Sequence, residues 1–322
     1  MAAHLPALNL VAQPGQRRAT LDLAREIERR GFAGISVSSQ YSNMAQCLGL
    51  AFATERIPFA TAIAPIYAQT ADEFAQMTAY LHEVSGGRFQ FGIGVAHPPT
   101  HARMGVTPGR PLADIRAFVA NVKSVEGIGA LPPIILAALR RRMVALSAEI
   151  ADGVVFANAS LSHMRQALAV IPEARRNDPN FFIGNRIRTC ICDEEAEAKA
   201  VLRRTVMNYA LMPYYRNYWK EAGYAEEMTA IETAVGEGRP EDIPNTCRTA
   251  GWRIARCSAR RPKYARESRR GTPPASRRRC WCRYPPTATR TPRSGKCSTR
   301  FRLHCRRASF ETRPLGVPQD EG

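Results

Sequence analysis

Within 84-VSGGRFQFGIGVAHPP-99 an imidazole, His97, follows two glycines at alternate positions, Gly92 and Gly94, with Val95 and Ala96 between. Histidine is the side chain best suited to exchange a proton near neutral pH, or to donate to a bound ring. The other reading of His97 is a loop residue that faces water or caps the next turn. Alternating glycines let a ligand come close to a strand, and they serve equally where one backbone packs against another. Short polar residues also stand where other apolar runs end: Ser38 and Ser39 after 34-GISVSS-39, Thr61 inside 57-IPFATAIAP-65, and Asn158 closing 153-GVVFAN-158. Hydroxyls there suit phosphate or substrate, and the amide suits the polar edge of a ring. His101 is a weaker candidate, and the body histidines and cysteines form no recognisable metal set.

What must position these groups is a set of buried strands. Apolar runs at 8-LNLV-11, 34–39, 57–65, 89-FQFGIGV-95, 132-PPIILAAL-139, 153–158 and 181-FFIGNRIRTCI-191 mostly lack a polar face, as parallel strands covered on both sides do. Helical spacing separates them. Thr20 reads as an N-cap, Leu23, Ala24 and Ile27 share a face, and Gly31 stops that helix. Phe74, Met77, Leu81 and Val84 mark a second helix, Pro111 opens a third, and Met143, Leu146 and Ile150 mark a fourth. From about Asp193 to Gly238 the chain reads as mostly helical and rich in tyrosine. Packing is the simpler account of those aromatics, and covering a substrate or a second subunit is the other.

Strand–helix repeats imply a parallel sheet with right-handed crossovers. No G-x-G-x-x-G opens the first helix, which disfavours a dinucleotide-binding sheet. The expected fold is therefore an α/β barrel of the TIM (β/α)8 type, incomplete because about seven strands are found where closure needs eight. Function in such barrels collects at the C-terminal ends of strands. That rule alone selects Ser38, Ser39, Gln40 and Tyr41; Thr61, Ala62 and Ile63; Gly94 to His97; Ala137 and Ala138; and Ala157 with Asn158. The turn Ser85-Gly86-Gly87 falls at the opposite face and closes a helix, with Arg88 as a structural anchor.

The 322 residues carry a formal charge of +18, yet residues 1–245 hold 25 Lys and Arg against 24 Asp and Glu. Residues 246–322 hold 21 against 4, and six of the nine cysteines. Two regions are expected: a barrel over 1–245 and a basic tail over 246–322. The tail has three readings. It fits GC-rich coding DNA read out of frame, a disordered basic arm contacting nucleic acid nonspecifically, or a metal site built on Cys280, Cys282, Cys297, His304 and Cys305. No apolar run reaches membrane-spanning length and the N-terminus lacks a signal-peptide pattern, so the expected location is cytoplasmic.

Three blocks in order resemble the bacterial-luciferase-like oxidoreductases: 57-IPFATAIAP-65 is similar to the family's third strand, 85-SGGRFQFGIGV-95 to its fourth, and 132–160 to its fifth strand, helix and sixth strand. The resemblance covers about residues 8–245. It implies a TIM barrel using FMN or coenzyme F420, hydride transfer to or from a small organic substrate, and compatibility with a homodimer. With FMN the activity would be monooxygenation; an inactive barrel with a nonspecific basic tail is the alternative of another class. The implied cofactor contacts are Ser38, Thr61, Ala62, Ile63, Gly92, Gly94, Val95, Ala96, Ala137, Ala138 and Asn158, with His97 catalytic. The resemblance also implies a strained or cis peptide near Ala62–Ile63. Arg140 and Arg141 depart from the glycine and proline usual before the helix, which puts phosphate binding at that turn in question. A missing eighth strand would leave the seventh with an unpaired edge beside the first.

Overall fold

The alternating Phe89, Phe91 and Ile93 place one face of their strand against helices, while Gln90, Gly92 and Gly94 face the opposite way. Repeated strand by strand, this parity builds the molecule. The computed structural model describes residues 5–40, 42–190, 195–239 and 279–283. The body strands are β1 (Ala7–Leu10), β2 (Ile35–Val37), β3 (Phe59–Thr61), the two-residue β4 (Ala64–Pro65), β5 (Phe89–Gly94), β6 (Ile134–Ala137), β7 (Gly153–Ala157) and β8 (Phe182–Arg188). All pairings are parallel, and β3 bonds to β5, so the sheet curls upon itself. Each of the seven apolar runs contains a strand. The body alone makes an incomplete barrel, as the strand count implied.

The edge expected to be unpaired is occupied. A five-residue segment of the tail, β9 (Arg279–Arg283), lies between β8 and β1, with Arg186 opposite Trp281 and Asn9 opposite Arg283. Free backbone N–H and C=O groups on two neighbouring parallel edges take up a strand of almost any sequence, since the ladder is made by main chain. These five residues are described as a strand within the tail that the sequence marks as basic. The rest of the tail, with the candidate metal ligands Cys297, His304 and Cys305, lies outside the described residues.

The helices that cover the sheet are α1 (Arg17–Arg29), α2 (Asn43–Ala53), α3 (Ala71–Val84), α4 (Pro98–Met104), α5 (Pro111–Lys123), α6 (Arg141–Ile150), α7 (Met164–Leu168), α8 (Glu173–Asn177), α9 (Glu195–Ala210), α10 (Pro213–Glu221) and α11 (Ala225–Gly236). Thr20 is not the N-cap of α1; Gln16 is, and the Thr20 hydroxyl donates to the Gln16 carbonyl inside the first turn. Thr70 does cap α3, accepting from the Glu73 amide. None of these helices is long and apolar enough to cross a membrane.

Three apolar groups form the core. One joins β1–β6 to α1, α2, α3 and α5, and is centred on Phe74, Phe91 and Phe118. A second seats Tyr215, Tyr218, Trp219 and Met228 of α10 and α11 beside Phe156 and Ile183. The third fills the barrel's lower interior with Ala7, Ala60, Ile135 and Val155, joined by Phe182. Register carries that inward face upward to Asn9, Ser36, Gly92, Ala137, Gly184 and Arg186.

At the bottom, Arg88 is an anchor, as expected. Its guanidinium donates to the Ser85, Ala51, Thr54 and Ile57 carbonyls and to the Thr54 hydroxyl, and it lies over the Phe59 ring. Gly86 and Gly87 adopt φ of 62° and 77° beside it, which only glycine does without strain. Replacing Arg88 with alanine strands four carbonyls, and stability in denaturant titration is expected to fall by about 3 kcal/mol. Lysine cannot reproduce the fork and should not restore it. A chain ending at residue 245 lacks β9, and its thermal unfolding is expected to be less cooperative than that of the full chain.

Candidate active site

The sheet is broken at its third stave. β3 pairs with β5 at Phe59 and Ala60, and β4 rejoins β5 at Ile93 and Gly94, so residues 61–63 bow away from it. Thr61 bridges the gap: its hydroxyl donates to the Gly92 carbonyl and accepts from the Gly92 amide, both at 2.8 Å. A Cβ on Gly92 would fall 1.9 Å from the Thr61 carbonyl oxygen. Gly92 is therefore a site of backbone approaching backbone. Gly94 is crowded too, by Ile63 Cγ2 and Ala137 Cβ. The Ala62 amide donates to Val37, and the Asn43 side chain donates to the Ile63 carbonyl at 3.0 Å. All peptide bonds of the described residues are trans, so the cis peptide considered at Ala62–Ile63 is not present.

Above this level the barrel mouth is lined by small inward residues, among them Ala62, Gly94, Ala137 and Ala157. Among the described residues, three non-glycine residues have φ near +60°, and all follow strand ends: Ser42 after β2, Ala96 after β5 and Asn158 after β7. Such conformations cost of order 1–3 kcal/mol each and gather where a site must be shaped. Asn158 is buried, its amide donates to the Arg186 carbonyl, and among the described residues its side chain takes no hydrogen bond. Ala138 is tied down by its bond to Val155.

Two polar clusters occupy the mouth. The first joins Asn9, Ser36, Ser38 and Arg186. Ser36 donates to Asn9 Oδ1 at 3.0 Å, Asn9 Nδ2 donates to Ser38 Oγ at 3.1 Å, and Arg186 Nη2 donates to Asn9 Oδ1 and Ser38 Oγ at 3.1 and 3.3 Å. Asn9 is wholly buried, and Ser36 and Ser38 nearly so. Burial, then the charge of neighbouring Arg188, lowers the Arg186 pKa, with Tyr209 and Tyr215 opposing the effect of Arg188.

The second cluster is His97 with three tyrosines. His97 sits at the N-cap position of α4 but makes no capping bond with its side chain. Its ring stacks on Tyr214 with centroids 5.2 Å apart, and Nδ1 lies 2.6 Å from the Tyr214 hydroxyl. Tyr215 meets both rings, and Tyr209 meets Tyr215. Burial lowers the His97 pKa; the Ala96 backbone opposes this, and the charges of His101 and Arg186 add to it. Burial, then Tyr209, raises the Tyr214 pKa. At neutral pH the pair is thus a neutral imidazole and a protonated phenol, with a transferable proton between them.

The structure places His97, Ser38 and Asn158, all named from the sequence, at the strand ends around the mouth, and brings there Asn9, Ser36, Arg186 and Tyr214, which the sequence reading did not single out as site residues. His101 is a support: its Nε2 contacts the Val95 carbonyl at 2.5 Å, and its ring meets Tyr67, which donates to Asp114. Arg140 turns to Glu221 on α10, at 2.6 and 2.9 Å, so its guanidinium is held away from the turn before α6. A cavity of about 480 Å³ opens between α2 and α3, lined by Ser39, Met44, Leu48, Met77 and Arg103. It shares neither His97 nor Arg186, and the chemistry-bearing groups lie at the mouth instead.

Residues 5–253 match the family described as luciferase-like monooxygenase, and the chain belongs to that family. A 5,10-methylenetetrahydromethanopterin reductase of Methanolobus tindarius is 29% identical over 160 residues, which is 42% of this chain and 49% of that protein. The chain thus matches about half the length of this curated relative. The solved coenzyme F420-dependent tetrahydromethanopterin reductase of Methanopyrus kandleri superposes with a TM-score of 0.62 at 17% identity, over 88% of this chain and 94% of that one. A type II Baeyer–Villiger monooxygenase of Pseudomonas putida, solved with FMN, gives 0.52 at 15%, over 70% and 79%. These likenesses show a shared fold.

The lowered His97 pKa has a consequence for stability. Between its folded pKa and the ordinary value of 6.5, the unfolded chain binds more protons, so stability falls as pH drops through that window. Unfolding titrations of the wild type and His97→Gln between pH 7.5 and 5 are expected to converge as the pH falls, the wild type losing stability faster.

Proposed function

We propose that the chain is an oxidoreductase that transfers a hydride between a small organic substrate and bound coenzyme F420, with FMN as the second reading. The observation that carries it is the His97–Tyr214 pair at the C-terminal mouth of a parallel barrel. The mouth fits a flat tricyclic ring: its inward positions carry at most a methyl at Ala62, Gly94, Ala137 and Ala157. Ala96 and Asn158 close strands at the same level, Ser38 belongs to the polar cluster there, Ile63 lies over Gly94, Val95 and Ala138 pack into the outer apolar groups, and Thr61 with Gly92 shapes the opening from below.

When bound, the cofactor supplies the hydride chemistry. The protein's share is a proton and a place to hold the substrate. A carbon that loses or gains hydride beside an oxygen must also lose or gain a proton at that oxygen. His97, neutral and half-buried, is the group to accept or return it, and Tyr214 holds the ring by stacking and through Nδ1. The wall of Tyr209, Tyr214 and Tyr215 limits water at this point.

The F420 reading is supported by the solved F420-dependent reductase; the FMN reading, with monooxygenation, is supported by the family's description and the FMN-bound monooxygenase. The test is a fluorescence titration of the full chain with each cofactor, followed by turnover with and without oxygen. Saturable binding of F420 with oxygen-independent turnover is expected; tight FMN binding with oxygen consumption would establish the second reading. Both His97→Gln and Tyr214→Phe are expected to leave cofactor affinity unchanged, the first lowering kcat about a hundredfold and the second less.

A further inference from the structure

Arg186 is an unbalanced charge inside the barrel. It stands on the inward face of β8, one register step above the apolar floor, with Arg188 next on the same face. Among the described residues no carboxylate pairs with it; its only hydrogen bonds run from Nη2 to Asn9 and Ser38, two neutral groups. Its Nε is buried and has no partner. A buried guanidinium of this kind is costly unless an anion completes it. Arg188 does not relieve it, being a second cation that stacks on the Tyr209 ring and donates to its hydroxyl.

The surroundings hold the group rather than release it. Asn9 takes bonds from both Ser36 and Arg186, so the guanidinium is fixed by residues from β1 and β2 across the interior. Its charge adds to the lowering of the His97 pKa and acts on Tyr209 and Tyr215, so it is felt at the acid–base pair.

We propose that Arg186 is the substrate anchor and that the substrate carries a carboxylate, which supplies the missing counter-charge when bound. This deepens the oxidoreductase reading and rests on it for the meaning of "substrate", but the anchor itself can be tested separately. Arg–carboxylate recognition is charge-assisted and directional, so an acid should be preferred to its neutral ester of the same shape. Once the carboxylate is gripped, the adjoining carbon lies toward His97 and Tyr214, where proton exchange is available. The favoured class is a small hydroxy or oxo acid.

The probes are pyruvate and benzoate, each against its methyl ester, titrated into the full chain and followed by intrinsic fluorescence, first without cofactor and then with the cofactor that binds. The wild type is expected to favour each acid by about tenfold or more. Arg186→Met should abolish that preference while leaving cofactor affinity within about twofold, and Arg186→Lys should keep part of it. Circular dichroism checks that the variants fold, and Arg188→Met serves as a charge-matched control that retains the preference. The proposal is overturned if the wild type shows no acid preference, or if the preference survives in Arg186→Met. It is overturned equally if Arg186→Met weakens cofactor binding and leaves acid binding alone, since the guanidinium would then serve the cofactor. Failure of both cofactors to bind would count against the oxidoreductase reading only, because the acid preference is measured first on the free chain.

Discussion

The hydrogen bonds between Thr61 and Gly92 hold the barrel open at the level where its chemistry begins. Below them the strands pair normally and the interior is filled by alanine, isoleucine and valine. At them, backbone meets backbone so closely that no side chain fits. Above them the third stave leaves the ladder, its Thr61 carbonyl crossing the inward face of Gly92, and rejoins as β4 at a level bordered by methyl groups and by residues with strained backbone. A regular ladder would have kept packing the interior to the rim. The break converts the top of a packed barrel into a cleft, and the other features of the site depend on that.

Into the cleft project groups from strands far apart in sequence. The polar cluster around Asn9 belongs to β1, β2 and β8, while His97 follows β5 and Tyr214 opens α10. Each cluster is rigid for a different reason. Asn9 has donors on two sides and no freedom to turn, whereas His97 is clamped by a stack of aromatic faces. Burial keeps the imidazole neutral, and the charges of His101 and Arg186 add to that effect.

Much of the architecture was legible because parallel strands are buried on both sides and so read as apolar runs. All seven runs contain strands, and the helix opened by Pro111 begins at that residue. The start of α1 was misplaced because Thr20 can cap or back-bond equally well, and only the fold decides. The break between β3 and β4 was invisible, since 57-IPFATAIAP-65 is apolar throughout. His97, Ser38 and Asn158 were found by the rule of strand ends. Arg186 could have been found by parity: Gly184, Arg186 and Arg188 alternate with Ile183, Asn185 and Ile187, so two charges share the inward face of a barrel strand. Tyr214 gave no such signal, because its partner lies 117 residues away. In the tyrosine-rich stretch Tyr218 and Trp219 pack the core, the simpler of the two accounts, while Tyr214 stacks on His97.

That separation has a consequence for how activity is acquired and lost. A ribosome releases the strand bearing His97 long before it makes α10, so the early sheet can form with its imidazole uncovered and still chemically idle. The finished protein keeps the same division. Helix α10 is fastened to the sheet side mainly by buried rings and to its neighbours by the ion pairs of Arg140 and Arg216. A local excursion of that one helix would disconnect the proton donor from its acceptor while the barrel stayed folded. Activity would then be lost before the fold itself on heating or in denaturant.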